Sequence, residues 1–147
     1  MKTLSNIRFG AVAKALIALC LTSAFAFGAD NAAEEAFNRG LAAYNRGDLQ
    51  EAVKQYTQAI KIDPKYADAY YNRGLAYANL GDTSKAIADW TQAIKIDPSF
   101  ALAYNNRAAA FGVLGDLKNA TKDARKACEL GNCKALQVLA QEKLLRD

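Results

Sequence analysis

The sequence predicts an all-α solenoid of three helix-turn-helix repeats closed by a C-terminal capping helix, and three observations carry that prediction. Asn38-Arg39-Gly40-Leu41-Ala42 returns as Asn72-Arg73-Gly74-Leu75-Ala76 and as Asn106-Arg107-Ala108-Ala109-Ala110, a period of 34 residues. Gly47-Asp48, Gly81-Asp82 and Gly115-Asp116 follow in the same step. The run from Gln58 to Pro64 recurs without change from Gln92 to Pro98. The repeats are expected over residues 33–66, 67–100 and 101–134, with the capping helix over 135–147.

Each element follows from its residue pattern. With Ala33, Ala67 and Ala101 as position 1, positions 4, 8 and 11 hold Ala36, Gly40 and Ala43, then Tyr70, Gly74 and Tyr77, then Tyr104, Ala108 and Phe111. At ~100° per residue these share one helix face, so they are expected to pack. The next Gly supplies a left-handed residue that ends the first helix, and the Asp after it caps the amides that open the second. Asp48 and Glu51 have the spacing of a reciprocal capping box. The second helices carry Ala52, Tyr56 and Ala59, then Ala86, Trp90 and Ala93, then Ala120, Ala124 and Ala127, again on one face. Asp63-Pro64 and Asp97-Pro98 close the first two repeats, because the residue before Pro is pushed out of helical geometry. The third repeat ends instead with Gly131-Asn132. Beyond it, Leu136, Leu139, Ala140 and Leu144 mark an amphipathic helix able to cover the last apolar face.

The first 28 residues have the layout of a secretory signal peptide: Lys2, Arg8 and Lys14, an uncharged apolar run from Ala15 to Ala29, and small residues at Ala24, Ala26 and Gly28. A secreted, periplasmic location follows, with an inner-membrane anchor through an uncleaved leader as the alternative. Removing Lys2, Arg8 and Lys14 takes the balance of 19 basic against 15 acidic side chains to 16 against 15. A chain so close to neutral gives no reason to expect nucleic acid, and no membrane contact is expected after cleavage.

The repeated residues make the chain resemble the tetratricopeptide repeat family from Ala33 to Lys134, with Gly at position 8, Ala at positions 20 and 27 and Pro at position 32. The third repeat departs: Ala108 replaces Gly, Ala124 replaces the bulky residue at position 24, and Gly131-Asn132 replaces Asp-Pro. The resemblance implies a right-handed superhelix whose inner wall, made mainly by the first helices, grips peptide segments of other proteins. It implies a non-catalytic envelope adaptor or assembly factor.

Positions 2, 5, 6, 9, 12 and 13 face away from positions 4, 8 and 11 and would line that wall. The candidates are Phe37, Asn38, Leu41, Tyr44 and Asn45 from repeat one; Asp68, Tyr71, Asn72, Leu75 and Asn79 from repeat two; and Leu102, Asn105, Asn106 and Val113 from repeat three. Rings interleaved with amides suit a polypeptide ligand, since Asn both donates to and accepts from a main chain. Asn38, Asn72 and Asn106 would stack as a ladder at position 6; the alternative is a solvated residue common at that position. Relatives that grip a C-terminal carboxylate use Lys or Arg where this chain has Phe37, Leu102 and Asn106 and Asn where it has Leu41 and Asn72, so only Asn72 matches them. Arg39, Arg73 and Arg107 at position 7 form a second series, expected to pair with a carboxylate such as Asp89 or Asp123 rather than a ligand.

The chain has no His, and outside the leader its thiols are Cys128 and Cys133. Ser-His and Cys-His pairs cannot form and a tetrahedral zinc site lacks ligands, so neither catalysis, a cofactor nor a metal is expected. Gly131 reverses the chain between Cys128 and Cys133, which puts a disulfide within reach; two separately packed thiols are the alternative. For function, the alternatives to groove binding are a scaffold that self-associates through its convex side and an enzyme with an unrecognised site.

Overall fold

The computed structural model describes residues 31–144, so the leader and its cleavage site lie outside the described residues, as does the side chain of Leu144. Among the described residues seven helices follow one another: α1 over 31–45, α2 Leu49–Ile62, α3 Ala67–Asn79, α4 Thr83–Ile96, α5 Ala101–Val113, α6 Leu117–Glu129 and α7 Lys134–Leu144. They pair within repeats, α3 with α4 and α5 with α6, and between repeats, α2 with α3 and α4 with α5. Helix α7 packs against α6 and α5 in the place a further repeat would take.

The punctuation works as its residues require. Gly81 has φ +84°, the left-handed turn that ends α3, and Asp82 then serves both neighbouring helices. Its backbone N–H donates to the Tyr77 carbonyl at 2.9 Å, closing α3, while its carboxylate accepts the Lys85 N–H at 3.1 Å, opening α4. Asp48 and Asp116 repeat both bonds. This double duty corrects the expected capping box at Asp48 and Glu51. The Asp48 N–H is already given to the Ala43 carbonyl, so the Glu51 carboxylate turns outward and accepts from Gln55 Nε2 at 2.6 Å and Lys54 Nζ at 3.3 Å. Those hydrogen bonds, Gln55 first, hold its carboxyl below the usual carboxylate range. At the repeat boundary Asp63 and Asp97 are extended, as the following Pro demands, and their carboxylates accept the Lys65 and Ser99 N–H groups.

The expected faces of α2, α4 and α6 are buried, including Ala52, Tyr56, Trp90 and Ala124. The first helices need a correction. In α3 and α5 the fully enclosed residues are Ala69, Gly74 and Ala76, and Ala103, Ala108 and Ala110: positions 3, 8 and 10. Tyr70, Tyr77, Tyr104 and Phe111, at positions 4 and 11, are only half-buried. Positions 3 and 10 are covered by the preceding repeat: Ala69 meets Ala36 and Ala59, and Ala76 meets Ala43, Ala52 and Tyr56. In α1 the equivalent Glu35 and Ala42 are exposed, so the face that counts there is Ala36, Gly40 and Ala43.

Position 8 is a close approach. A Cβ on Gly74 would lie 2.6 Å from Trp90 Nε1, and one on Gly40 would lie 2.5 Å from Tyr56 Cε1. An aromatic at position 24 therefore forces Gly at position 8. In repeat three both residues change together: Ala124 replaces the aromatic, and Ala108 fills the space it leaves, joined by Ala135, Leu136 and Leu139 from the capping helix. The departures at Ala108 and Ala124 are thus one packing change that makes room for α7.

The two buried aromatics are not equivalent. Trp90 Nε1 donates to the Tyr71 carbonyl at 3.2 Å, whereas the Tyr56 hydroxyl is buried without a partner. Burial pushes the Tyr56 hydroxyl up to about 12. Tyr56→Phe is expected to hold or raise stability, by up to about 1 kcal/mol in chemical denaturation at neutral pH, since an unpartnered buried hydroxyl only costs desolvation. The unfolded Tyr56 ionises near 10 and the native one near 12, so the native state retains a proton the unfolded state loses. The part of alkaline destabilisation that sets in as pH climbs from 10 to 12 should be smaller in the Phe variant.

Candidate functional site

The wall formed by the first helices is set by an arginine that crosses the stack in the second and third repeats. Arg73 Nε and Nη2 donate to the two carboxylate oxygens of Asp89, each at 2.7 Å, and Nη1 donates to Thr57 Oγ1 at 3.0 Å. Thr57 Oγ1 in turn donates to the Val53 carbonyl. One side chain of α3 therefore ties together α4 of its own repeat and α2 of the repeat before. Arg107 repeats the arrangement with Asp123 at 2.6 and 2.9 Å and Thr91 at 2.9 Å. The guanidinium of Arg73 sits 5.6 Å from the Tyr70 ring and 5.9 Å from that of Tyr77; Arg107 lies likewise between Tyr104 and Phe111. The aromatics at positions 4 and 11 are half-buried for this reason: they pinch an ion. Burial alone would push the Arg73 guanidinium down, but the hydrogen bonds and charge of Asp89 outweigh it and hold it up. Pairing with Asp89 and Asp123 agrees with the sequence; the threonines of the preceding repeat were not anticipated, although Thr57 and Thr91 share position 25. Arg39 differs: its Nε donates to Gln55 Oε1 at 3.0 Å in an exposed contact.

With the stack fixed, the predicted wall residues take different surroundings. Asn38, Asn45 and Asn79 are exposed, and Asn72 and Asn106 are partly so. The rings are wedged at the repeat junctions. Phe37 packs 5.0 Å from Tyr66 and Tyr71 4.8 Å from Phe100, so position 5 of one repeat meets the last residue before the next first helix. Leu41 and Tyr44 rest on the cluster around Tyr56, and Leu75 rests on the one around Trp90. These side chains present one edge to the wall and another to the core.

The amides do more internal work than a free ladder would. Asn79 Nδ2 donates to the Tyr44 hydroxyl at 2.6 Å and Asn106 Nδ2 to the Tyr71 hydroxyl at 3.0 Å, each across 35 residues. Asn72 Nδ2 donates to the Asp68 carbonyl of its own helix. Asn105 is diverted: its Oδ1 accepts the Ala135 N–H at 2.9 Å and so caps the start of α7. The sequence marked these residues by period but could not show the one-residue offset that matches each tyrosine with the amide of the following repeat. Of the third-repeat candidates, Leu102 is exposed and Val113 borders a hollow of about 370 Å³ between α5 and α7, with Gly112, Val138 and Leu139.

The sulfurs of Cys128 and Cys133 are bonded, with their Cα atoms 4.0 Å apart. The bridge joins the last turn of α6 to the residue before α7, next to the Asn105 contact.

This geometry agrees with what known proteins show. A family model described as TPR repeat matches residues 40–81, and another described as tetratricopeptide repeat matches residues 67–100. The Arabidopsis OM64 TPR domain is 34% identical, with 80% of this chain and 98% of that chain covered and a TM-score of 0.73. The chain belongs to the tetratricopeptide repeat family. The first TPR domain of Spaghetti (RPAP3), bound to the HSP90 peptide SRMEEVD, is 28% identical over 80% of this chain and 96% of that one, with a TM-score of 0.74. The TPR2B domain of yeast Sti1, in a complex with pHsp70, is 34% identical over 74% of this chain and 90% of that one, with a TM-score of 0.66. No curated protein sequence matches. Tetratricopeptide repeat modules are generally non-catalytic interaction domains, and structural relatives of this chain bind peptide segments of proteins.

Two measurements test this architecture. Arg73→Ala leaves the Asp89 carboxylate, 5% exposed, without its partner and should cost about 3 kcal/mol, a drop of roughly 10 °C in Tm. Arg39→Ala, which removes only an exposed contact, should cost under about 1 kcal/mol. Thiol titration of the native, unreduced protein, denatured without reductant, should find neither Cys128 nor Cys133 free.

Proposed function

We propose that this tetratricopeptide repeat protein is a non-catalytic adaptor that holds an extended segment of another polypeptide along the wall of α1, α3 and α5. One observation carries the reading: the chain's own tail, α7, docks on α5 and α6, leaving the amides and ring edges from Asn38 to Asn79 facing outward. Among the described residues Asn38 gives no side-chain hydrogen bond and Asn72 uses only its Nδ2, which suits bonding to a main chain rather than to a particular side chain. The rings at Phe37, Tyr44 and Tyr71 add apolar contact from rigid positions, which limits the entropy lost on binding.

The chemistry of the wall narrows the ligand. Its charged members are Glu34 and Asp68 at position 2, and none of the positions facing the groove carries Lys or Arg. The peptide held by the first TPR domain of Spaghetti, SRMEEVD, has three acids and would meet no cation here. A neutral or basic segment fits instead. Export of the mature chain as an envelope adaptor is part of the proposal and is supported by the leader pattern of Lys2, Arg8 and Lys14 before an apolar run. Self-association by end-to-end stacking has less support. Arg125 stands at position 25, where Thr57 and Thr91 accept from the arginine of the following repeat, so an added repeat would meet like charge.

Selection from a displayed peptide library is expected to enrich uncharged or basic extended sequences over acidic C-terminal ones. The exposed pair Asn38→Ala with Asn72→Ala should weaken the selected peptides about tenfold with an unchanged circular dichroism spectrum. Enrichment of acidic tails, or binding indifferent to that pair, would overturn the proposal.

A further inference from the structure

The third repeat carries a surface that the first two lack, made by the solvent-exposed face of α6 and the turn before it. Helix α6 buries Ala120, Asp123, Ala124 and Ala127. Lys118, Lys122, Arg125 and Lys126 recur at i, i+4, i+7 and i+8, which places them on the opposite face, and all four are exposed. The equivalent residues are Ser84, Ala88, Thr91 and Gln92 on α4, and Gln50, Lys54, Thr57 and Gln58 on α2. A stripe of four cations on one exposed face is therefore particular to α6. The acids nearby are already committed. Asp123 is held by Arg107, Glu129 by Lys126, and Asp116 caps α6 through the Asn119 N–H, which keeps its carboxyl below the usual range. Lys118, Lys122 and Arg125 make no ion pair among the described residues. They border a concavity of about 570 Å³ between α5 and α6.

A second observation is independent of the charge. The turn that leads into this stripe is apolar and exposed: Val113 is 80% exposed, Leu114 56% and Leu117 48%. The same positions hold Asn45, Arg46 and Leu49 in repeat one and Asn79, Leu80 and Thr83 in repeat two. Exposing three aliphatic side chains at a turn costs solubility and adds nothing to packing, so the cluster needs a partner. A nucleic acid, or a purely acidic polypeptide, would use the cations but not the aliphatics. An anionic bilayer uses both, since its phosphates take the Lys and Arg groups while aliphatic side chains enter the boundary between headgroups and acyl chains.

We propose that the α5–α6 turn and the basic face of α6 form a docking surface for an anionic phospholipid membrane. The protein would lie on that membrane rather than span it: among the described residues no helix is long and apolar enough to cross a bilayer. Docked this way, the third repeat would hold the chain at the surface while the groove of repeats one and two stays open to water. The near-neutral overall balance conceals this surface, because it counts acids that sit elsewhere in the chain or are already paired.

The test reads the surface locally, so that the apolar leader cannot imitate it. A full-length chain with Leu114→Trp is mixed with phosphatidylglycerol–phosphatidylcholine vesicles containing chain-brominated lipid. The expected result is a blue shift and quenching of the reporter at position 114, while Trp90, 3% exposed, is unaffected. Pure phosphatidylcholine should give neither effect. Lys118→Gln, Lys122→Gln and Arg125→Gln together should weaken the effect about a hundredfold. Should Leu114→Trp fail to fold by circular dichroism, Leu117→Trp takes its place. No quenching at either reporter, even with cosedimentation, overturns the proposal. So does quenching that survives loss of all three cations. Binding to polyglutamate or nucleic acid without quenching by lipid assigns the stripe to an acidic macromolecule and also overturns it.

Discussion

The arginine that crosses three helices is the constraint on which the rest of the structure depends. Between α3 and the repeat before it the buried contacts are mostly small: Ala69 and Ala76 against Ala36, Ala59, Ala43 and Ala52, with Tyr56 the one large fully buried side chain. Small residues permit close approach but do not fix how far one helix slides along the next. Arg73 removes that freedom, because its planar fork must meet both oxygens of Asp89 while its remaining nitrogen reaches Thr57. A buried pair of this kind adds little net stability over an apolar contact of the same shape, since desolvation offsets most of the attraction. Its consequence here is register. With the stagger fixed, Tyr71 comes opposite Asn106 and Tyr44 opposite Asn79, and the wall has a defined shape.

Local chemistry was legible in the sequence, and chemistry that depends on a neighbour was not. Gly81-Asp82 predicts its own geometry because the left-handed turn and the cap are made within five residues. Asp97-Pro98 does the same through one steric clash. Position 3 is different: Glu35, Ala69 and Ala103 are all ordinary on a helical face, and only a preceding repeat buries the last two. The capping box at Glu51 fails for a related reason, since the donor it needs had already been taken by the helix before it. Pairwise covariation within one chain held a usable signal that period counting passed over. Gly at position 8 accompanies an aromatic at position 24 in two repeats, and both change together in the third, as a steric conflict between them requires.

The wall shows the same division. Helical arithmetic found which residues share a side, but equal spacing does not give equal roles. Asn38, Asn72 and Asn106 occupy one position, yet the first is exposed, the second bonds its own helix and the third bonds a tyrosine of the repeat before. Asn105 sits on the expected side and is used by the tail, because α7 needs its first amide satisfied. A stacked array therefore grades its wall from one end to the other, from the exposed amide of Asn38 to the internally bonded amides of Asn105 and Asn106.

The ends of the array follow from the same interaction. At the first repeat the crossing arginine has lost its carboxylate, with Gln55 in place of Asp, and Arg39 is exposed, so the contact there is weak and neutral at the acceptor. At the last repeat the threonine that would receive a further arginine is Arg125, and the aromatic that would demand a close glycine is Ala124. Each change removes a feature that propagates stacking. Repulsion at Arg125 discourages another repeat, while Ala108 and Ala124 open a seat that Ala135, Leu136 and Leu139 fill. Termination thus uses the same positions as propagation, with a charge added at Arg125 and an aromatic reduced to Ala124.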